Sequence, residues 1–186
     1  MKIKNITLRD FFSLPEIEKE KINFAIKFGS QFREIKDFFN VGDFTFLPFG
    51  LIKDLQFDLS KEFSFEKYLE HLEKILKVEK KCFFENYLLD LYQFQNYVFS
   101  EINRINEIEK ALLTSYPSIE EVEAGIDTFN ELGIYMEIRE LTGGKIWRNK
   151  KIRESKYTDA LLELVARKKL NDYNSKRQEI YNKKNK

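Results

Sequence analysis

The chain has 186 residues, of which 42% are hydrophobic and 34% charged, a composition that excludes a wholly disordered chain. A chain of this length buries roughly 70% of its unfolded surface in one domain, so a covalent staple is not required. The 32 basic and 31 acidic residues give a net charge of +1, and the single cysteine (Cys82) and single histidine (His71) exclude an internal disulfide, a cysteine-based zinc cluster and a multi-histidine metal site within one chain.

The composition favours helices. Aromatic residues make up 15% of the chain, whereas there are only 7 Gly and 3 Pro. Few helix breakers and few β-branched runs are typical of helical proteins rather than sandwiches or barrels. We predict an all-α fold, a helical bundle around a long aromatic-rich central helix, with a projecting basic C-terminal helix and at most one short strand or hairpin.

The first elements carry local start signals. Residues 3–8 fit a short strand or an extended arm, and Thr7 and Asp10 have the spacing that caps a helical turn. A stronger start is Ser13-Leu14-Pro15-Glu16, because Pro tolerates the donor-free first turn. The helix that follows should stop at Gly29. Its predicted inward face consists of Ile17, Lys21, Phe24 and Phe28.

The next stretch is less regular. Ser30 can open a short helix that ends near Gly42 and turns Phe32, Ile35, Phe38 and Phe39 inward. Residues 44–49 alternate weakly, so they fit a short strand or an apolar loop. Residues 50–55 fit one or two helical turns.

Helical periodicity is clearest between Ser64 and Leu113, where apolar residues recur three, four or seven apart. A single helix of that length would reach about 70 Å, so we expect a break in the polar stretch 77–81. Between Cys82 and Phe99 only two residues are charged. This central segment is therefore predicted to be buried on nearly every side.

The C-terminal third contains two more stop and start signals. Ser118 and Glu121 form a capping box for a helix, and a second short helix should close at Thr142-Gly143-Gly144. The last helix should begin near Lys156 and project or fray beyond Leu170. The predicted inward residues are Ile119, Val122, Ile126 and Phe129 in the first of these helices and Leu161, Leu164 and Val165 in the last.

Charge is distributed unevenly. Residues 145–186 hold 14 basic and 5 acidic residues, 14 − 5 = +9, so residues 1–144 hold 18 and 26, 18 − 26 = −8. We therefore predict one folding unit with an acidic helical body (1–144) and a basic loop and C-terminal helix (145–186). Such asymmetry favours an anionic partner, although a solvated lysine-rich helix gives the same pattern.

No catalytic motif emerges. His71 is expected on a helix surface, and Cys82 in the apolar core, where burial makes a thiol inert. Thr142-Gly143-Gly144-Lys145 lacks the spacing of a phosphate-binding loop, and Glu34-Ile35-Lys36 lacks the strand of a nuclease motif. We predict that the protein is not an enzyme and holds no metal or cofactor, with carboxylate-only chemistry as the exception that the sequence leaves open.

The most informative polar cluster lies between Lys145 and Arg153. It has five basic residues, no acidic one, and the only tryptophan. Its candidate contact residues are Lys145, Trp147, Arg148, Lys150, Lys151 and Arg153. Such a set can bind phosphates and stack on bases, or anchor in the groove of a partner protein, or form a loop whose Trp147 packs on the core. The apolar stretch 44–49 is the alternative contact surface.

The last third of the chain contains Ala124-Gly125-Ile126, then Leu141-Thr142-Gly143-Gly144, then Tyr157-Thr158-Asp159-Ala160-Leu161-Leu162-Glu163. This order of helix, Gly-Gly turn, Trp/basic loop and polar terminal helix resembles small helical proteins from the head–tail and tail assembly modules of tailed bacteriophages. Lys145 stands where an acidic residue is expected, so no functional residue is carried over. The resemblance implies a non-enzymatic role in the virion or its assembly.

The sequence therefore predicts a structural or assembly protein of a phage particle, of head–tail connector or tail-assembly type. It would act through contacts with copies of itself and with other phage structural proteins. The alternative is a regulatory protein that binds nucleic acid, with DNA as the partner of the basic C-terminal quarter. The start of the chain lacks the apolar core of a signal peptide, and no apolar run is long enough for a membrane-spanning helix. We expect no secretion and no membrane partner, and a location in the host cytoplasm during assembly and then in the virion.

Overall fold

The computed structural model of the protein describes residues 6–29, 42–61, 64–79, 83, 88–114, 119–126, 128 and 132–184. Regular structure in these ranges is helical, without strands, which confirms the all-α prediction. The α-helices are α1 (Leu8–Ser13), α2 (Glu16–Gly29), α3 (Phe49–Leu59), α4 (Phe65–Leu76), α5 (Leu88–Leu113), α6 (Ile119–Glu123), α7 (Ile134–Thr142), α8 (Asn149–Glu154) and α9 (Tyr157–Lys184). Among the described residues, 3₁₀ turns span Phe44–Phe46 and Ile146–Arg148.

Tertiary contacts group the chain into two compact units. Unit 1 consists of Met1–Phe44 and Leu55–Arg104, and unit 2 of Thr45–Asp54 and Ile105–Lys186. The divisions fall inside α3 and α5. These units follow packing, whereas the predicted boundary between residues 144 and 145 follows charge and stays a prediction.

The predicted cap at the start of unit 1 is present. The backbone N–H of Asp10 donates to Thr7 Oγ1 (3.1 Å), and that of Thr7 donates to Asp10 Oδ2 (3.2 Å). This reciprocal pair starts α1 at Leu8, where the sequence had suggested a strand or arm. Residues 3–5 of that expected strand lie outside the described residues.

Helix α2 forms where the second start signal predicts it. Its predicted inward face is partly wrong, because Ile17 is 65% exposed and Lys21 is exposed, while Ile22 is buried. A helical repeat fixes which residues share a face but not which face is covered. The side chains of Phe24 and Phe28 lie outside the described residues, as does the short helix expected after Ser30 with Phe32, Ile35, Phe38 and Phe39.

The break predicted in the long periodic stretch is confirmed. Ser64 Oγ accepts from the N–H of Lys67 and caps α4, and α4 ends at Leu76 because Lys77 adopts a left-handed conformation, φ 56°. Helix α5 then carries the apolar repeat. Its buried residues include Leu88, Leu91, Phe94, Val98, Ile102 and Ile105. Phe83 is also buried, whereas Cys82 and residues 84–87 of the predicted aromatic helix lie outside the described residues.

The expected surface position of His71 is wrong. His71 is buried, with Nε2 2.8 Å from Asp58 Oδ2, and Lys67 Nζ donates to the other oxygen of Asp58 at 3.1 Å. Partial burial by itself raises the pKa of Asp58, but the hydrogen bonds from His71 and Lys67 outweigh it and hold that pKa below its ordinary value. The imidazole thus serves as a core partner of a carboxylate.

In unit 2 a clasp joins residues 45–54 to residues 153–158. Ser155 O accepts from the N–H of Phe49 (2.8 Å), Leu47 O accepts from the N–H of Tyr157 (2.9 Å), and an isolated β-bridge pairs Pro48 with Lys156. The segment predicted as a strand or loop therefore forms a 3₁₀ turn and one extended contact. Helix α3, which follows it, is three turns long rather than one or two.

The predicted inward face of α6 is also wrong, because Ile119 and Val122 are both exposed. Residues 118 and 129 and the side chain of Glu121 lie outside the described residues. Helix α7 closes as predicted. Gly143 is left-handed (φ 61°), and the amides of Gly143 and Gly144 donate to the carbonyls of Glu140 and Arg139, which satisfies the last carbonyls of the helix.

Helix α9 is 28 residues long. Leu161 and Leu164 are buried as predicted, whereas Val165 is only partly covered. The side chains of two adjacent basic residues hold the N-terminal half of α9 against unit 2. Arg167 donates to the carbonyls of Glu140 and Leu141 at the end of α7, and Lys168 to that of Thr114 (2.8 Å) after α5. Beyond them, residues 169–184 are helical and all exposed. The prediction allowed either a continued helix or a frayed end after Leu170, and the helix is observed.

Candidate contact surface and a buried ionic cluster

Trp147 lies in the 3₁₀ turn between the glycine stop of α7 and the start of α8. It is 78% exposed, and its neighbour Ile146 is similarly uncovered. This excludes the alternative in which Trp147 packs back on the core. A large aromatic side chain left in solvent beside an exposed aliphatic one is a candidate contact point, because burying both on binding would remove substantial apolar surface from water.

The other predicted contact residues divide into two groups. Lys145, Arg148, Lys150 and Lys151 are exposed, and Lys150 makes a long ion pair with Glu154 at 3.8 Å. These residues, with Ile146 and Trp147, form what we call the Trp147 segment (residues 145–151).

Arg153 has a different role. Its Nη2 donates to both carboxylate oxygens of Asp54, at 2.8 and 2.6 Å, so this guanidinium is committed inside unit 2. Gly50 packs against the same residue, since a Cβ at Gly50 would lie 2.9 Å from Arg153 Cβ. Arg153 therefore anchors α8, and through it fixes the base of the Trp147 segment.

Sequence reasoning missed a second polar feature of unit 2, a buried ionic cluster on α3, α5, α7 and α9. Lys53 is only 6% exposed. Its Nζ lies 2.7 Å from Glu109 Oε1 and 2.8 Å from Glu137 Oε2, and it donates to Glu137 Oε1 at 3.0 Å. The hydroxyl of Tyr157 donates to Glu109 Oε1 at 2.7 Å, and the Tyr157 ring stacks on Phe49.

The charges of the cluster compensate one another, which indicates a structural role. Burial raises the pKa of Glu137, while the adjacent Lys53 ammonium opposes this rise. The single cation neutralises one of two carboxylates, and the tyrosine hydroxyl compensates the other by a hydrogen bond. No sequence signal marks the cluster, because its members come from four helices and lie 20 or more residues apart along the chain.

The described residues contain no group of three or more His, Cys, Asp or Glu side chains arranged to hold a metal ion. An open depression of about 480 Å³ lies beside Glu137 and is lined by residues of α7 and its glycine stop. Within the described ranges, no helix combines the length and apolarity needed to cross a bilayer.

No family model, curated protein or solved structure matches the chain. The Trp147 segment and the exposed half of the terminal helix are surfaces of the described residues that can meet a partner.

Proposed function

We propose that the protein is a non-enzymatic binding component of a larger assembly and that the Trp147 segment contacts a partner protein. The observation that carries the proposal is the exposure of Trp147 (78%) on a short segment whose base is fixed by Arg153. Trp and Arg are the residues that most often dominate the binding energy of protein interfaces. A rigid base also lowers the entropy lost on binding.

The phage setting rests on the resemblance in the last third of the chain. It supports a structural or assembly protein of the head–tail connector or tail-assembly type, present in the host cytoplasm during assembly and then in the virion. Its partners would be copies of itself and other structural proteins of the particle. The acidic first 144 residues and the basic remainder support contacts between unlike surfaces of successive copies.

The absence of an enzymatic role is part of the proposal. The residues best placed for chemistry, Lys53, Glu109 and Glu137, are engaged with one another. Tight, stoichiometric binding of Mg²⁺ or Mn²⁺ together with nuclease activity, abolished by a single carboxylate substitution, would overturn this part.

The test uses the double variant Trp147→Ala with Arg148→Ala, with Lys183→Ala/Lys184→Ala as a matched loss of two surface side chains. Sedimentation velocity of the full chain over a range of concentrations measures self-association. We expect the double variant to stay folded by circular dichroism and to associate at least about tenfold more weakly, since truncated interface anchors typically cost ~2 kcal/mol. The lysine control should change only the salt dependence. A folded double variant that associates like the unmodified protein would place the contact surface elsewhere.

One observation favours a second function, DNA binding. The Trp147 segment and Arg153 carry five basic residues and no acidic one, and phosphate neutralisation by such residues makes affinity fall steeply with salt. Trp147 is the only tryptophan, so its fluorescence reports this site alone. Salt-dependent quenching by duplex DNA, lost in Lys150→Ala/Lys151→Ala, would favour this function over the protein partner.

A further inference from the structure

Helix α9 has two apolar faces, and only one is covered. Four buried residues near its start face the body of unit 2: Tyr157, Ala160, Leu161 and Leu164. A second set is exposed, with each large side chain at least 56% accessible. We call this set the outer stripe. It consists of Leu162, Ala166, Leu170, Tyr173, Ile180 and Tyr181.

The outer stripe is a continuous surface rather than scattered exposure. At about 100° per residue its members fall within an arc of roughly 100°, on the side of α9 opposite the buried residues. Leu162 and Tyr181 mark its ends, which lie about 28 Å apart at 1.5 Å per residue. The spacing from Ala166 to Leu170, Tyr173 and Ile180 is four, three and seven residues, the repeat by which one helix packs against another.

Charge beside the outer stripe is mainly basic beyond Leu164. Near the start of the stripe, Glu163 lies at the edge of the same arc and pairs with Arg167 (2.7 Å). Lys169, Lys176 and Lys183 recur every seven residues along one edge, and Arg177 lies within the stripe itself, between Tyr173 and Ile180. The two acidic residues of this region, at positions 172 and 179, lie on the opposite side of the helix. Residues 169–184 hold five basic and two acidic residues, 5 − 2 = +3.

We propose that the outer stripe binds an acidic amphipathic helix of a partner protein, one whose apolar seam is flanked by Glu or Asp. Arg177 decides the class of partner. Covering the stripe removes this guanidinium from water, which is unfavourable unless a carboxylate pairs with it. The lysine edge adds complementary attraction and speeds encounter with a negative helix.

The outer stripe of a second copy lacks this complementarity. Two outer stripes placed parallel and in register bring Arg177 against Arg177. An antiparallel arrangement that matches Leu170 with Ile180 brings the lysine edges together. Like charges at these positions oppose pairing of two outer stripes, so we assign the partner helix to a different, acidic chain, and self-association through the stripe is the contrary outcome of the test. The outer stripe shares no residue with the Trp147 segment, and the proposal stands apart from the function proposed above.

The experiment measures binding of the full chain to a designed peptide of four heptads with Leu at the a and d positions and Glu at e and g. The matched control peptide has Lys in place of each Glu. We expect binding of the acidic peptide only. Affinity should fall at least about tenfold in Leu170→Ser/Ile180→Ser and in Arg177→Glu, and stay unchanged in Asn171→Ser/Asn182→Ser, which alters the other side of the same helix.

Circular dichroism of each variant shows whether α9 is retained, and Arg177→Glu keeps the test valid if the apolar variant loses helix. The variant Trp147→Ala/Arg148→Ala should bind the acidic peptide normally, so failure of the Trp147 proposal is distinguishable from failure of this one. Equal binding of both peptides, or of neither, would overturn the proposal. It would also be overturned if the same substitutions abolished binding to phosphatidylserine vesicles or self-association instead.

Discussion

Two aromatic segments, residues 44–49 and the Trp147 segment, lie where the helical repeat of the sequence is weakest. They differ in burial. Phe44 and Phe49 are fully buried, whereas Trp147 and Ile146 are largely exposed. The Phe49 ring stacks on Tyr157 in unit 2. Apolar character alone therefore does not decide burial in this protein.

The difference follows from backbone pairing with a distant segment. Residues 45–49 exchange hydrogen bonds with residues 155–158, more than 100 positions away. The Trp147 segment has the bond from Arg148 N–H to Lys145 O, within its own turn. Because buried backbone polar groups need partners, only the first segment can be brought into the core. Phe46 and Pro48 remain exposed in this segment, and Lys156 Nζ lies 5.5 Å from the Phe46 ring centre.

The largest expected effect is the loss of a buried ring from the first segment. Phe49→Ala removes the ring that stacks on Tyr157 and should lower the free energy of unfolding by about 3–5 kcal/mol. Urea denaturation followed by circular dichroism measures this. A loss below ~1 kcal/mol would show that the ring is not part of the core.

Lys53→Met tests the helix that follows Phe49. Removing the ammonium leaves the half-buried carboxylates of Glu109 and Glu137 without their cation and should destabilise the protein by about 3 kcal/mol at neutral pH. The control is Lys150→Met, because Lys150 is exposed and its ion pair is weak.

The pH dependence of Lys53→Met follows from Glu137. Its pKa is raised in the fold, so folding takes up a proton in the window between the ordinary value of 4.5 and the raised one, and stability falls as pH rises through that window. Without Lys53 the effect of burial is unopposed and the pKa rises further. The deficit of the variant should therefore shrink from pH 7 toward pH 4.5, and a deficit independent of pH would contradict the coupling.

Gly50→Ala tests the close approach of α3 to Arg153. The added methyl would lie 2.9 Å from Arg153 Cβ and 3.1 Å from its carbonyl oxygen, and crowding of this kind typically costs about 1–3 kcal/mol. Thermal unfolding measures the loss. An Ala variant as stable as the unmodified protein would mean that the clasp can open without cost.

The smallest expected effect is at the exposed segment. Trp147→Ala should change the free energy of unfolding by less than about 0.5 kcal/mol, as surface substitutions usually do. Its side chain should also be freely accessible to acrylamide in fluorescence quenching. A loss comparable to that of Phe49→Ala would remove the contrast between the two segments.

Much of the secondary structure could be read from the sequence, because its signals act locally. The Thr7–Asp10 cap, the break at Lys77 and the stop at Gly143 each involve groups within about five residues of one another. The candidate contact residues were proposed from the sequence, as five basic residues around the only tryptophan with no acidic residue among them. Whether they bind a partner is a prediction that the experiments above address.

Burial was decided only by the tertiary structure. The sequence placed Ile17 inward and His71 outward, and both are wrong, because a periodic pattern does not specify which neighbour covers a face. Lys53 is buried only because Glu109 and Glu137, 56 and 84 positions away, meet it across three helices. The sequence placed Arg153 among the contact residues, but in the fold its guanidinium pairs with Asp54, 99 positions away. Local hydrogen bonding is encoded within a turn of chain, whereas ion pairing and core packing depend on which distant segments the fold brings together.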